Sequence, residues 1–385
     1  MKLLHTGDWH VGKTLRGRSR AEEHRAVLGE VAELAGTESV DIVMVAGDLF
    51  DSASPSPEAE RIVYDALLQL TASGAQVVVV AGNHDNPRRL LAVEPLLALG
   101  RVVVRPLAVS PQEGGVVEIT SRAGERARIA RLPWLSHRDI VKADELMSDD
   151  ASGLTSTYRE RAGRIIGSLT TAAFGPDSVN ILLGHLTVAG GQVGGGERTA
   201  QTVFDYYVDA SAFPSAAHYV ALGHLHKPQR MPAGAPVHYC GSPLWLDFSD
   251  DDEHKVTMIV EASPGAPAEI RAVPLKAGRR LRTLSGTVAE LDGLVGTTGD
   301  DFLRIRVMEQ AHAGLGDKVR TMFPEAVDVM AAPADPALHT GAGRSTSSNP
   351  RALFGEYLAE RNVADERLVA LFDRLLEETY ASASA

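Results

Sequence analysis

The opening hundred residues alternate short apolar runs with helical stretches, and each run ends in a glycine followed by polar residues. The three runs lie in KLLHTGDWH, DIVMVAGDLFD and QVVVVAGNHD. They are rich in Val, Ile and Leu without polar alternation, which is typical of strands buried on both faces. Helices predicted over residues 21–37 and 57–73 separate them. The pattern predicts a β-α-β-α-β start to an α/β fold, with polar groups at the strand ends.

Later segments extend this organisation. A helix is predicted over 155–174. Further strands are predicted at RVVVRPL, GVVEIT, ARIARLPW, NILLGHLTV, HYVALGHLHKP, PVHYCGSPLW, KVTMIVEA and EIRAVPL. A chain of 385 residues exceeds the usual size of one core. We expect a main domain over 1–274, a small α+β domain over 275–338, a linker over 339–349 and amphipathic helices over 350–385.

Composition narrows the class of protein. The single cysteine excludes an intrachain disulfide, and MKLLHTGDWH becomes charged before a secretory apolar segment develops. No apolar run reaches the roughly 20 residues of a membrane span. We therefore expect a cytoplasmic protein without a membrane segment. The net charge of −12 argues against a protein that coats nucleic acid nonspecifically. A local basic patch beside the site is still compatible with binding of a phosphate backbone.

Five clusters at predicted strand ends are built from the same kinds of side chain, which carry carboxylate, imidazole and amide groups. Any one of them alone is more often an ordinary turn, but five in order at predicted strand ends indicate a site that holds divalent metal ions such as manganese, iron or zinc. The clusters are GDWH, GDLFD, GNHD, GHL and GHLH, and their polar residues are Asp8, His10, Asp48, Asp51, Asn83, His84, Asp85, His185, His224 and His226.

The spacing within the clusters favours two ions. Residues two apart in an extended strand face the same side, so Asp8 is expected to converge with His10, and His224 with His226. Two ions about 3.5 to 4 Å apart need a shared ligand, which an aspartate such as Asp48 supplies with its two oxygens. Neighbouring residues point apart, so either Asn83 or His84 is free for proton transfer.

The ordered motifs resemble those of calcineurin-like metallophosphoesterases over residues 1 to about 249. The opening LLHTGDWHVGKTL, AGDLFDSASPSPEA, the YCGSPL strand and the C-terminal helices further resemble the SbcD family of nuclease subunits. This resemblance implies a four-layer α-β-β-α sandwich with two mixed sheets, a small α+β capping domain and C-terminal helices. It also implies two manganese ions at the strand ends.

The resemblance assigns roles residue by residue. Asp8, His10 and His226 would hold the first ion, and Asn83, His185 and His224 would hold the second. Asp48 would bridge the two, and His84 matches the catalytic histidine of the superfamily.

The expected reaction is metal-dependent phosphodiester hydrolysis. Metal-activated water attacks phosphorus in line, and His84 protonates or stabilises the departing 3′ oxygen. Asp51 is the preferred candidate for orienting His84, with Asp85 as its rival.

Basic residues near the predicted ligands are candidates for DNA contact. Lysine and arginine fix a phosphate backbone without reading bases, whereas the alternative is a solvated surface loop. The candidates are Lys13, Arg16, Arg18, Arg20, Lys227 and Arg230.

The resemblance also implies partners and a substrate. It implies an ATP-dependent double-strand exonuclease and single-strand or hairpin endonuclease in DNA repair, replication and recombination. The C-terminal helices would dock on an SMC-like ATPase of the SbcC type. Helices over 58–70 and 88–100 would form a homodimer, giving a heterotetramer with the ATPase.

The alternative function is that of a stand-alone phosphodiesterase acting on small phosphodiesters. A third possibility, a non-enzymatic scaffold, fits the complete ligand set poorly.

Overall fold

The structure is a computed structural model, and it describes residues 1–147, 157–197, 206–250, 254–310, 312–331, 354, 358 and 366–382. The predicted linker over 339–349 lies outside these residues, as does most of the first predicted C-terminal helix.

Helices and strands alternate through most of the chain. The helices are α1 Ala21–Thr37, α2 Pro57–Thr71, α3 Pro87–Leu99, α4 His137–Met147, α5 Tyr158–Ala173, α6 Val288–Asp292, α7 Leu315–Met322 and α8 Glu366–Ser382. The strands are β1 Lys2–Thr6, β2 Thr14–Leu15, β3 Arg18–Ser19, β4 Ile42–Val45, β5 Gln76–Val80, β6 Val102–Arg105, β7 Val116–Thr120, β8 Arg126–Leu132, β9 Val179–His185, β10 Thr187–Val188, β11 Tyr207–Val208, β12 Tyr219–Gly223, β13 Gln229–Met231, β14 Val237–Tyr239, β15 Val256–Glu261, β16 Glu269–Pro274, β17 Leu281–Gly286, β18 Phe302–Val307 and β19 Ala326–Ala331.

Two six-stranded mixed sheets form the centre of the fold. The first has the order β16-β15-β1-β4-β5-β6, in which β1, β4, β5 and β6 are parallel. The second has the order β13-β14-β12-β9-β8-β7, in which β14, β12, β9 and β8 are parallel. Antiparallel strands complete the edges of both sheets.

The buried side chains define four layers. One apolar core packs α1, α2 and α3 on the first sheet, and a second packs α4 and α5 on the second sheet. A third core lies between the sheets and contains Met44, Val78, Ile129 and Leu183. The predicted α-β-β-α sandwich is confirmed.

A small unit follows β16. Its strands β17, β18 and β19 form a parallel sheet, and α6 and α7 cover that sheet with a separate core that includes Leu291, Ile305 and Val319. A minor apolar contact joins this unit to the main sandwich through Leu15, Trp245, Leu281 and Phe302. The small unit lies within the region predicted as a capping domain, and both that role and its boundaries remain predictions.

Local sequence explains where several helices begin. Thr157 caps α5 by accepting from the backbone N–H of Glu160, whose carboxylate accepts in return from the Thr157 N–H. This capping box satisfies two N–H groups that a helix start otherwise leaves unpaired. Among the described residues, no helix combines the length and apolar character needed to cross a bilayer.

Candidate metal centre

The carboxyl ends of β1, β4 and β5 meet those of β9 and β12 at one edge of the sandwich. Glycine is required where the two sheets approach. A Cβ on Gly223 would lie 2.0 Å from the carbonyl oxygen of Ala46, and one on Gly82 would lie 2.1 Å from Asp48 Oδ1. These two glycines therefore allow the polar residues after them to converge.

The backbone at these residues is not extended. Asp8, His10, Asp48 and His224 have φ values of 50°, 48°, 50° and 102°. L-residues seldom adopt this left-handed region, and its strain is typical of functional sites. The prediction that paired residues converge through strand alternation was therefore wrong in its geometry, although the side chains do converge.

The first group of side chains surrounds His10. The ligand atoms of Asp8, His10, Asp48 and His226 all lie within 4.8 Å of one another, and all four residues are buried. His10 Nε2 lies 3.0 Å from His226 Nε2 and 3.5 Å from Asp48 Oδ2. Four potential ligands thus face one small volume.

The second group surrounds Asn83. Its Oδ1 lies 2.9 Å from His185 Nε2 and 2.9 Å from His224 Nδ1. Asp48 Oδ2 lies 3.6 Å from His185 Nε2, so the Asp48 carboxylate adjoins both groups.

Backbone carbonyls fix the tautomers of two ligand candidates. His185 donates from Nδ1 to the Ala46 carbonyl at 2.7 Å, and His226 donates from Nδ1 to the Gly195 carbonyl at 2.8 Å. Each Nε2 therefore presents a lone pair to the site. For His185 that lone pair faces the carbonyl oxygen of Asn83, an arrangement of two acceptors that a cation between them stabilises.

A similar close approach occurs in the first group. His10 Nδ1 lies 3.4 Å from Asp51 Oδ1, and its Nε2 lies 3.0 Å from the Nε2 of His226. Asp8 Oδ2 is buried and has no hydrogen-bond partner among the described residues. These groups fit divalent cations, which accept lone pairs from imidazole and carboxylate alike.

Burial shifts the ionisation of these groups. Burial and the nearby Asp48 charge raise the pKa of Asp8 well above its usual range. Burial lowers the pKa of His185 to about 4, and burial together with His84 lowers the pKa of His10. Neutral imidazoles are the form that binds metal, and paired carboxylates ionise together when a cation is present.

His84 lies beside the first group. Its ring centroid is 4.6 Å from that of His10, and its Nδ1 donates to the backbone carbonyl of Asp51 at 2.7 Å. The Asp51 carboxylate faces His10 and lies 3.3 Å from Lys13 Nζ. Burial acts to raise the pKa of Asp51, but His10 and Lys13 outweigh it and hold that pKa below its usual range.

Asp85, the rival orienter, is engaged elsewhere. Its carboxylate accepts from the backbone N–H groups of Phe50 and Gly82 at 3.1 and 2.8 Å. Burial and the Asp48 charge raise the pKa of Asp85 to about 7. These hydrogen bonds make it a support for the loops that carry Asp48 and Asn83.

Two residues of the site carry no motif and were missed in the sequence. Glu197 accepts from the backbone N–H groups of Gly194, Gly195 and His226 at 2.7, 2.7 and 2.9 Å. Trp134 stacks on the His224 ring with centroids 4.8 Å apart. The acid after a glycine run in GGGE was the available signal for Glu197.

The predicted DNA contacts divide into three groups. Lys13 lies at the site, as its contact with Asp51 shows, and the half-buried Lys227 directly follows His226. Arg16 and Arg18 form ion pairs with Asp328 and Glu325 of the small unit.

The structure places the other two candidates, Arg20 and Arg230, away from the ligand groups. Arg20 is buried, pairs with Glu23 and donates to the Trp245 carbonyl. Arg230 lines a surface cavity of about 500 Å³ with Ala217 and Pro236, at the amino ends of the parallel strands and opposite the site.

The Calcineurin-like phosphoesterase family matches residues 1–228. The match covers more than half of the chain and every residue described above as a ligand candidate. The chain therefore belongs to the calcineurin-like phosphoesterases.

Curated relatives narrow this class. The SbcD subunit of the SbcCD nuclease from Bacillus subtilis is 38% identical over 285 residues, which cover 73% of this chain and 71% of the relative. The proteins of the same name from Rhodobacter capsulatus and Escherichia coli K12 are 38% identical over 298 residues and 30% identical over 307 residues. Those alignments cover 71% and 76% of this chain, and 71% and 72% of the relatives. Within the phosphoesterases, the chain is a member of the SbcD family.

Proposed function

We propose that this protein is the metal-dependent nuclease subunit of an SbcCD-type complex and hydrolyses phosphodiester bonds of DNA. The observation that carries the proposal is the pair of facing ligand groups joined at Asp48, with His84 beside them. Membership of a family whose curated relatives are named as nucleases supports it. A DNA substrate also agrees with the cytoplasmic location predicted from the sequence.

Seven side chains would hold two divalent ions, for which manganese is the proposed identity. The first ion would take Asp8, His10 and His226, the second Asn83, His185 and His224, and Asp48 would serve both. The all-nitrogen-and-oxygen donor set suits manganese, since the one cysteine, Cys240, is buried and forms no part of either group. When bound, such ions supply water activation at neutral pH and charge neutralisation at the phosphoryl oxygens.

His84 supplies the acid of the proposed reaction. Because its Nδ1 proton is used in the hydrogen bond to the Asp51 carbonyl, Nε2 is the nitrogen that delivers a proton to the departing 3′ oxygen. The nearby Asp51 carboxylate favours the imidazolium form electrostatically. In this proposal Asp51 orients His84 through its backbone and supports it through its charge.

Lys13 and Lys227 are the proposed phosphate contacts next to the metal groups. Arg16 and Arg18 form ion pairs with Asp328 and Glu325 of the small unit. These ion pairs hold the small unit, the proposed cap, over the side of the sandwich that carries the metal groups. DNA passing between the sandwich and the cap would meet all four cations.

Two exposed apolar surfaces support the proposed assembly. Leu368, Leu371 and Leu375 follow one another at helical spacing on α8 and are 37%, 39% and 49% exposed. We assign this stripe to docking on an SbcC-type ATPase, since such a helix buries its apolar face against a partner. Leu68 of α2 and Leu96 and Leu99 of α3 form the surface assigned to the homodimer.

The test compares linear duplex DNA, hairpin DNA and a chromogenic phosphodiester as substrates with manganese, with and without an SbcC-type ATPase and ATP. Cleavage of duplex DNA that the ATPase and ATP stimulate is the expected result. Activity confined to the small diester would instead support the alternative of a stand-alone phosphodiesterase. His84→Asn is the control that separates this activity from a contaminating nuclease.

A further inference from the structure

The ring of His224 is stacked on an aromatic side chain from another part of the second sheet. Its centroid lies 4.8 Å from that of Trp134, with 24° between the ring planes. His224 also has a φ of 102°, a conformation that L-residues seldom adopt. A side chain in such a conformation keeps one orientation only where its surroundings determine it.

Trp134 is itself fixed to the strand that leads to Asn83. Its backbone N–H donates to the carbonyl of Ala81 at 2.9 Å, two residues before Asn83. The residue lies two positions after the end of β8 and is half-buried. One short stretch of backbone therefore sets the positions of both Trp134 and Asn83, whose Oδ1 faces His224 Nδ1 at 2.9 Å.

Further aromatic rings support the indole. Tyr206 stacks on Trp134 with centroids 5.4 Å apart and 25° between planes. His137 and Tyr158 contact Tyr206 at 4.1 and 5.1 Å, and the Tyr158 hydroxyl donates to the Leu135 carbonyl at 3.1 Å. The stack thus extends from α4 and α5 to His224.

We propose that Trp134 is a positioning residue for the second metal ion, which acts by fixing the His224 ring against Asn83. The inference rests on the proposed function in taking the site to bind two ions. It assigns the stack to one ion only, because the contacts of Trp134 with ligand candidates are to His224 and, edge-on at 6.1 Å, to His185. Both of these belong to the second group.

The test is equilibrium binding of Mn²⁺ followed by the electron paramagnetic resonance signal of the free ion, which resolves the number and affinity of bound ions without any activity measurement. Trp134→Leu keeps apolar bulk but removes the ring, and Trp134→Phe keeps a ring. Trp134→Leu is expected to leave one ion at wild-type affinity and to weaken the other about 10- to 100-fold. Trp134→Phe should restore most of that loss.

A double variant links the effect to His224. Adding Trp134→Leu to His224→Ala should cost nothing beyond His224→Ala alone, since the ring to be positioned is already absent. Wild-type affinity for both ions in Trp134→Leu, equal weakening of both, or additive losses in the double variant would each overturn the inference. Should Trp134→Leu fail to fold, Tyr206→Leu carries the same test with the same opposed outcomes.

The proposed nuclease activity is measured in parallel on duplex DNA. Wild-type protein that binds two ions yet cleaves no DNA would refute that function and leave the positioning role intact. If the wild-type protein cleaves DNA but Trp134→Leu weakens both ions equally, the positioning role is refuted and the nuclease function stands.

Discussion

The His84 ring is held by the backbone of Asp51 and not by its carboxylate: Nδ1 lies 2.7 Å from the carbonyl oxygen, while the carboxylate faces His10 Nδ1 at 3.4 Å. One residue thus adjoins the proposed acid and a proposed metal ligand through different atoms. A substitution that changes only the carboxylate separates the two connections.

Asp51→Asn should therefore weaken the first ion and largely preserve the acid. The amide retains the backbone carbonyl at His84 but removes the negative charge beside His10. We expect about 10-fold weaker binding of one Mn²⁺ and, at saturating metal, a smaller loss of turnover than in His84→Asn. Unchanged metal affinity together with a turnover loss equal to that of His84→Asn would show that the carboxylate acts on His84 instead.

His84→Asn should lower turnover about 10²- to 10⁴-fold with both ions still bound, since general acid catalysis contributes about this much. Mn²⁺ binding and single-turnover cleavage of duplex DNA measure the two effects separately. A nitrophenyl diester is the matched control, because its leaving group needs no proton. Its hydrolysis should fall much less, and an equal fall on both substrates would refute the acid role.

His224 and His226 should not be interchangeable, although only one residue separates them. His224 faces Asn83 and His226 faces His10. Alanine at either position should weaken one ion, and the double variant should weaken both. Mn²⁺ titration checks this, and a double variant no worse than either single one would mean that the two histidines hold the same ion.

Stability should fall as the pH is lowered because of His5, which lies between the sheets with its Nδ1 2.9 Å from the Tyr219 hydroxyl. Burial lowers the pKa of His5 to about 3 from 6.5. The folded state thus keeps the ring neutral while the unfolded state binds a proton below pH 6.5. The stabilisation is complete above that pH and is lost as pH falls toward 3. When the pH is lowered from about 7.5 to about 5.5, the free energy of unfolding of the wild-type protein should fall by about 1.4 kcal/mol more than that of His5→Gln.

Urea unfolding in the presence of a chelator measures this difference without bound metal. Tyr219→Phe is the control, since it removes the hydroxyl but keeps the titrating ring, and should retain the pH dependence. Parallel stability curves for wild type and His5→Gln would contradict the assignment.

Lys13 and Arg20 lie in one basic segment but should respond differently to loss of charge. Lys13→Gln should weaken DNA binding and reduce the slope of log affinity against log salt by about 1. Arg20→Met should leave that slope unchanged and cost about 3 kcal/mol of unfolding free energy, because it removes the buried cation that pairs with Glu23 and donates to the Trp245 carbonyl. A salt slope reduced by Arg20→Met would place that side chain at the DNA.

The sequence predicted the alternation of strands and helices and the ordered clusters because both depend on local pattern, whereas the four layers were implied by the family resemblance. Runs of Val and Ile identify strands buried on both faces, and α1 begins and ends at the predicted residues. The site was found because its residues repeat one chemistry at successive strand ends. Their roles as ligands, acid and DNA contacts remain predictions.

The rest depends on tertiary contacts that leave no local pattern. The left-handed backbone at Asp8 and His224 follows from the approach of two sheets distant in sequence. In the sequence, Arg20 is indistinguishable from the other cations of the basic segment. In the structure it is buried, pairs with Glu23 and donates to the Trp245 carbonyl. Glu197 and Trp134 are single residues whose partners among the ligand candidates, His226 and His224, are 29 and 90 positions away.

The central claim is that two ions, one in each ligand group, support DNA cleavage together. The most direct measurement titrates Mn²⁺ into metal-free protein and follows ion occupancy and duplex DNA cleavage in the same samples. The cleavage rate should rise with occupancy of the second ion and should be absent at one ion per chain. Full cleavage with a single ion bound, or two bound ions without cleavage of any phosphodiester, would contradict the account.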